Sequence, residues 1–205
     1  MTSLVVVTAG LSVPSSTRIL ADLLAEASAS ALTAAGAEVA VHTVELRPLA
    51  HALADNLLTG FPSGELAEAL ERVRTADALV VVTPVFSASY SGLFKMFFDV
   101  LERDSLAGLP VVVAATAGTA RHSLVLDHAL RPLFAYLRAT VVPTGVFAAS
   151  EDFGRPGLRE RADRAAGELA ALVVGASRVL PSRVRQRTEA ERFADPTPFH
   201  QLLDG

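Results

Sequence analysis

The sequence predicts an α/β three-layer sandwich, in which a five-stranded parallel sheet carries helices on both faces, with the strand order 2-1-3-4-5 taken as a premise. Two observations predict it. Apolar runs of strand length recur at Leu4–Thr8, Val39–Val44, Ala78–Thr83, Val111–Thr116 and Val141–Phe147, and segments with helical spacing separate them. Alternation of strand and helix implies parallel strands joined by crossover helices. The second observation is bulk composition: 205 residues, 51% hydrophobic and 20% charged, suit one domain with a sizeable core.

The first strand ends in a small, hydroxyl-rich loop, Ala9–Arg18, and the first helix is expected to start at Ser16 or Thr17, either of which can cap it. Leu20, Leu24, Ala27 and Ala31 form its apolar stripe, and Gly36 ends it. A second helix, about Gly64 to Ala76, buries Leu66, Leu70 and Val73 and turns Glu65, Glu68, Glu71 and Arg72 to water. The third, about Ser91 to Leu101, has almost no polar face, since Leu93, Phe94, Met96, Phe97, Phe98 and Val100 surround it. Such a helix is buried on most sides, so part of it is expected to pack against another subunit in a homodimer or a dimer of dimers. Lys95, the single lysine, is expected in a rim salt bridge. In the fourth helix, about Ser123 to Leu137, Pro132 predicts a kink near Asp127 to Ala129 or a break. The fifth runs from about Gly157 to Val174. Residues 1–177 thus form the domain. Residues 178–205 form a partly extended tail, laid on the domain or on a second subunit, with a solvated arginine cluster from Arg178 to Arg192 and then Pro196, Pro198 and Phe199.

Composition excludes several chemistries. There is no cysteine, which removes disulfides, thiolate catalysis and thiolate metal sites. The histidines at 42, 51, 122, 128 and 200 form no His-x-x-x-His pair beside an acid, so no zinc site is expected. A net charge of −4 argues against a nucleic-acid surface, which needs clustered positive charge. No apolar run is long enough to span a bilayer and no secretory signal stands at the N-terminus, so a cytoplasmic location is expected.

Open sheets of this order bind ligands beyond the carboxyl ends of the strands, where the strand order reverses, and three loops meet there. Loop one offers the hydroxyls of Ser12, Ser15, Ser16 and Thr17, the free N–H groups of a helix start, and Arg18 as a cation. A phosphate needs such converging donors, although turn and cap roles account for the same residue types. Loop two, Thr83–Gly92, places Pro84, Val85, Phe86, Ser87, Ala88 and Ser89 where small residues let a flat ring approach the main chain. Phe86 and Tyr90 are candidate stacking partners, with core packing as the ordinary role of such rings. Loop three, Thr116–His122, contributes Ala117, Gly118 and Thr119, where Gly118 permits close approach and Thr119 can donate to a ring edge. Arg121 and His122 could touch a second anionic ligand. No catalytic triad or carboxylate pair stands out, so no catalytic residue is assigned; this suits chemistry carried by a cofactor.

Three motifs carry a family resemblance: Ala9–Arg18, Thr83–Lys95 and Ala115–Ser123 followed by Asp127–Pro132. Through them the chain resembles the NAD(P)H-dependent FMN reductases of the flavodoxin-like fold, and specifically the reductase partners of two-component flavin monooxygenases. The resemblance implies an oxidoreductase that uses FMN and NAD(P)H, passes hydride from nicotinamide to flavin N5, and supplies reduced FMN to a partner monooxygenase. Loop one would then hold the FMN phosphate, loop two the pyrimidine and N5 side of the ring, and loop three its other edge. Many relatives open loop one with Gly-Ser-x-Arg, whereas Leu11 and Val13 stand at the serine and arginine places here. An FMN-bound quinone or azo-type oxidoreductase, or a flavodoxin-like electron carrier, would use the same three loops.

Overall fold

The computed structural model describes residues 1–102 and 104–179, within which strands and helices alternate as their apolar patterns require. In chain order the first half comprises β1 (Thr2–Thr8), α1 (Ser16–Ala34), β2 (Val39–Glu45), α2 (Ala50–Thr59), α3 (Gly64–Arg74), β3 (Ala78–Phe86) and the two-residue β4 (Ser89–Tyr90). It continues with α4 (Gly92–Asp99), β5 (Pro110–Ala117), α5 (Arg131–Tyr136), β6 (Thr140–Val141), β7 (Val146–Ala149) and α6 (Pro156–Val179). The sheet order is β2-β1-β3-β5-β6, with β7 also pairing to β5, all parallel. This is the expected 2-1-3-4-5 arrangement, the flavodoxin-like one.

The sheet has seven strands where five were expected. One addition is β4, which folds back antiparallel on the end of β3. The other comes from the run Val141–Phe147, which splits at Pro143 because proline has no N–H to donate to a ladder. The carbonyl of Val142 is met instead by Arg131 Nη1 at 2.9 Å, and that of Pro143 by Arg131 Nη2. Thr144 donates its N–H and its hydroxyl to Glu168, each at 2.7 Å. Pairing resumes at Val146, opposite Ala114.

Period-2 alternation divides the core into two layers. Val5, Val7, Leu79, Val81, Val111 and Val113 face α2 to α5, while Leu4, Val6, Val80, Val82, Val112 and Ala114 face α1 and α6. The small residues Ala162, Ala165, Ala166 and Ala170 let α6 lie close to the sheet and to α1.

Several local expectations need revision. The cap of α1 is Ser15, neither Ser16 nor Thr17: its backbone is extended, at φ −120°, and its Oγ accepts from the Arg18 N–H at 3.2 Å. Helix α2 was not foreseen. In α4 the rings of Phe94, Phe97 and Phe98 are buried inside this chain, and Leu93, Met96 and Val100 pack half-buried against the same core. Lys95 does pair with a carboxylate, that of Asp99 one turn on. Where one fourth helix was expected there is a 3₁₀ turn, Ala120–His122, a π-helical turn, Leu126–Leu130, and then α5 with Pro132 in its first turn. The widened turn falls where Pro132 removes a backbone bond and crowds the preceding carbonyl. The last helix continues through Val179, and the rest of the expected tail, with its arginine cluster and Pro196, Pro198 and Phe199, lies outside the described residues.

Candidate functional site

The sheet delivers all three loops to one edge. Beyond Thr8 the Ala9 N–H still bonds the Val82 carbonyl at 3.0 Å, so loop one leaves at the level where β3 continues toward Pro84. Pro84 lies opposite Thr116 in the parallel ladder of β3 and β5, which sets loops two and three side by side. A buried hydrogen bond of 2.8 Å between the hydroxyls of Thr17 and Thr116 ties the start of α1 to the end of β5. The predicted segments are therefore joined by main-chain pairing and by one side-chain bond.

Loop one turns sharply at Gly10. A Cβ there would overlap Ser15 Oγ and stand 3.2 Å from Ser15 Cβ and 3.3 Å from Thr17 Cβ, so only glycine lets the loop fold back onto its own cap. A cleft of about 760 Å³ opens beside it, lined by Thr8, Gly10, Ser12, Ser15 and Arg18 on one side and by Glu45, Arg47 and His51 on the other. Thr8 is among the residues lining the cleft and is 2% exposed, and its buried hydroxyl has no hydrogen-bond partner among the described residues. An unpaired buried hydroxyl costs about 1–3 kcal/mol. The first-turn N–H groups of the 19-residue α1 carry positive partial charge. A helix N-terminus that opens on a cleft with the loop-one hydroxyls suits a phosphate group.

The expected phosphate residues divide accordingly. Ser12 and Ser16 are exposed on the loop, and Ser15 caps the helix while lining the cleft. The Thr17 hydroxyl is turned inward to Thr116, which leaves its N–H as its contribution to the helix start. Arg18 is committed elsewhere: Nε bonds Asp22 at 2.8 Å and Nη1 bonds Glu45. The hydrogen bond to Asp22, with both carboxylate charges, holds its pKa above the ordinary arginine range. Glu45, Arg47, Pro48 and His51 were not singled out from sequence. The strand order contained the signal, because β2 beside β1 brings its own carboxyl end to loop one.

Loop two is a tight hairpin. Val85 pairs with Tyr90 and Phe86 with Ser89, leaving Ser87 and Ala88 as the turn at φ 49° and 65°. Two left-handed central residues define a type I′ turn, which favours glycine and asparagine. Neither is present, so the hairpin carries backbone strain at the site. The Thr83 hydroxyl fixes its base, donating to the Pro84 carbonyl at 2.9 Å and accepting from the Ser91 N–H at 3.0 Å. Tyr90 packs on Phe94 with ring centres 5.9 Å apart, the core role, whereas Phe86 is 49% exposed at the hairpin edge. In loop three Ala117 is half-buried, and Gly118, Thr119, Arg121 and His122 are exposed. Ala88→Gly is expected to stabilise the protein by about 0.5–1 kcal/mol, since relief of a left-handed alanine, about 1–2 kcal/mol, exceeds the added glycine entropy. Thermal unfolding should show a Tm raised by about 1–4 °C, and a lowered Tm would refute the strain.

Among the described residues no group of His, Cys, Asp or Glu side chains could hold a metal ion, and no helix is long and apolar enough to cross a membrane.

The profile of the NADPH-dependent FMN reductase family matches residues 2–154. The NADH-dependent FMN reductase SfnF of Pseudomonas putida is 42% identical over 158 residues, covering 77% of this chain and 83% of that protein. Among solved structures, an oxidoreductase from Corynebacterium diphtheriae superposes with a TM-score of 0.83 at 54% identity, over 85% of this chain and 98% of that one. The apo form of the NADH:FMN oxidoreductase EMOB does so with a TM-score of 0.71 at 26% identity, over the whole of both chains.

Proposed function

The chain belongs to the NADPH-dependent FMN reductase family, oxidoreductases that take FMN and NAD(P)H, and on that premise we propose that it releases reduced FMN to a separate flavin-dependent monooxygenase. The phosphate end of the flavin lies in the cleft beside loop one, on the N–H groups of the first turn of α1 and the loop serines. The hairpin from Pro84 to Ser89 and the segment Ala117–Thr119 flank the ring. FMN, when bound, supplies the N5 position that accepts hydride from the nicotinamide. The protein's part is placement: the Thr17–Thr116 bond fixes the loops to one another, and the main-chain N–H groups of loops two and three orient the ring edge and meet charge as it develops there. In this reading the subunits pair as a homodimer or a dimer of dimers.

One observation supports release over retention. Every segment assigned to the flavin keeps an open side, since Ser12, Val13, Pro14, Phe86, Ser87, Ala88, Gly118 and Thr119 are all exposed. Stopped-flow oxidation of NADH and NADPH with FMN, FAD and riboflavin as separate acceptors tests the function. The expected result is a kcat/KM for FMN at least about tenfold above that for riboflavin, the size of one charge-assisted contact, with flavin lost on gel filtration. Flavin that stays bound through purification, combined with direct turnover of a quinone, would overturn the release reading.

A further inference from the structure

The cation expected to bind the phosphate is already spent. Arg18 bonds both Asp22 and Glu45, so these three side chains together carry a formal charge of −1, with Arg18 and Glu45 on the cleft itself. That sign opposes a phosphate dianion, and the partial charge of one helix terminus is only about half an elementary charge. The cleft needs another cation to favour the anion. Arg47 lines it, is exposed, and has no ion pair among the described residues.

Its position follows from the register of the sheet. Thr8 of β1 lies opposite Glu45 of β2, and the Leu46 N–H donates to the Thr8 carbonyl at 3.0 Å, so the chain leaves β2 beside loop one. The Leu49 N–H then closes a turn onto the Leu46 carbonyl at 3.0 Å, setting Arg47 and Pro48 at the turn's crest on the cleft wall. His51, in the first turn of α2, lines the same wall. Arg47 thereby lines the same cleft as Ser12 and Ser15 of loop one.

We propose that Arg47 is the cation that recognises the flavin phosphate, the part that sequence assigned to Arg18. This rests on the placement of the phosphate in the loop-one cleft. A guanidinium–phosphate contact is charge-assisted and can be bidentate, a geometry that lysine does not reproduce.

Titration of FMN and of riboflavin into the apoprotein, followed by flavin fluorescence, tests it, with inorganic phosphate as a competitor. For Arg47→Gln the Kd for FMN should rise about 10- to 100-fold while that for riboflavin stays within about twofold, and competition by phosphate should weaken. Arg47→Lys should recover part of the loss, which separates charge from a damaged fold. An unchanged FMN-to-riboflavin ratio in Arg47→Gln overturns the proposal while leaving the cleft as the phosphate site. Equal binding of FMN and riboflavin by the wild-type protein overturns both.

Discussion

Phe94→Ala is expected to destabilise the protein by about 3–5 kcal/mol, the range for removing a fully buried phenylalanine. Its ring is 0% exposed at the centre of an aromatic cluster, 4.7 Å from Phe98, 5.9 Å from Tyr90 and 6.3 Å from Phe134 between ring centres. Three of these rings come from α4 and α5, and Tyr90 from β4, so the cavity would open under both helices and under the hairpin of loop two. Collapse to fill it is hindered, because each neighbour is held by main-chain structure of its own. Two readouts follow. Urea unfolding should give the full loss at an unchanged m-value, and the FMN affinity of the still-folded fraction should fall, because Tyr90 anchors the strained turn at Ser87 and Ala88. Phe98→Leu keeps more of the volume and should cost less. A loss below about 1.5 kcal/mol for Phe94→Ala would mean that the cluster is loosely packed.

Gly10→Ala should act on the ligand more than on the fold. The added methyl group displaces the Ser15 hydroxyl from the Arg18 N–H, and a lost helix cap costs about 1 kcal/mol. Rotation of Ser15 alone does not make room, since its Cβ and that of Thr17 stand at 3.2 and 3.3 Å. The loop must move away from the helix start, and the N–H groups of that start then no longer converge with the loop hydroxyls. Loss of two or three converging donors predicts an FMN affinity lowered by roughly 100-fold or more, with riboflavin affinity little changed. Binding of both flavins to the purified variant provides the measurement. An FMN affinity within threefold of wild type would show that loop one is a turn and cap and nothing more.

The central strands β1, β3 and β5 were legible because each is a short, nearly continuous apolar run, as buried parallel strands read. The break before α5 was legible too, because Pro132 admits no regular helix across it. Helix α2 escaped because its pattern is weak: Leu53 and Asn56 are buried, whereas Leu57 and Leu58 are 50% and 87% exposed, so no apolar stripe marks a face. The ion pairs of Arg18 were only half legible for a related reason. Asp22, four residues on, was visible as a helical partner, but Glu45 is 27 residues away and meets Arg18 only once β2 pairs with β1. Local pattern thus identified the segments that the sheet brings to one edge, while the pairing of charged side chains depended on contacts between strands.

The hydrogen bond between Thr17 and Thr116 has a further consequence. On the proposed placement it ties the segment that carries the phosphate to the segment that flanks the ring, through a buried bond of 2.8 Å. The site then behaves as a gauge of length. Phosphate and isoalloxazine tethered by the right number of carbons bind as a chelate, with the second contact already at high effective concentration, whereas the same two pieces added separately, or joined by a chain one carbon too short, forfeit that advantage.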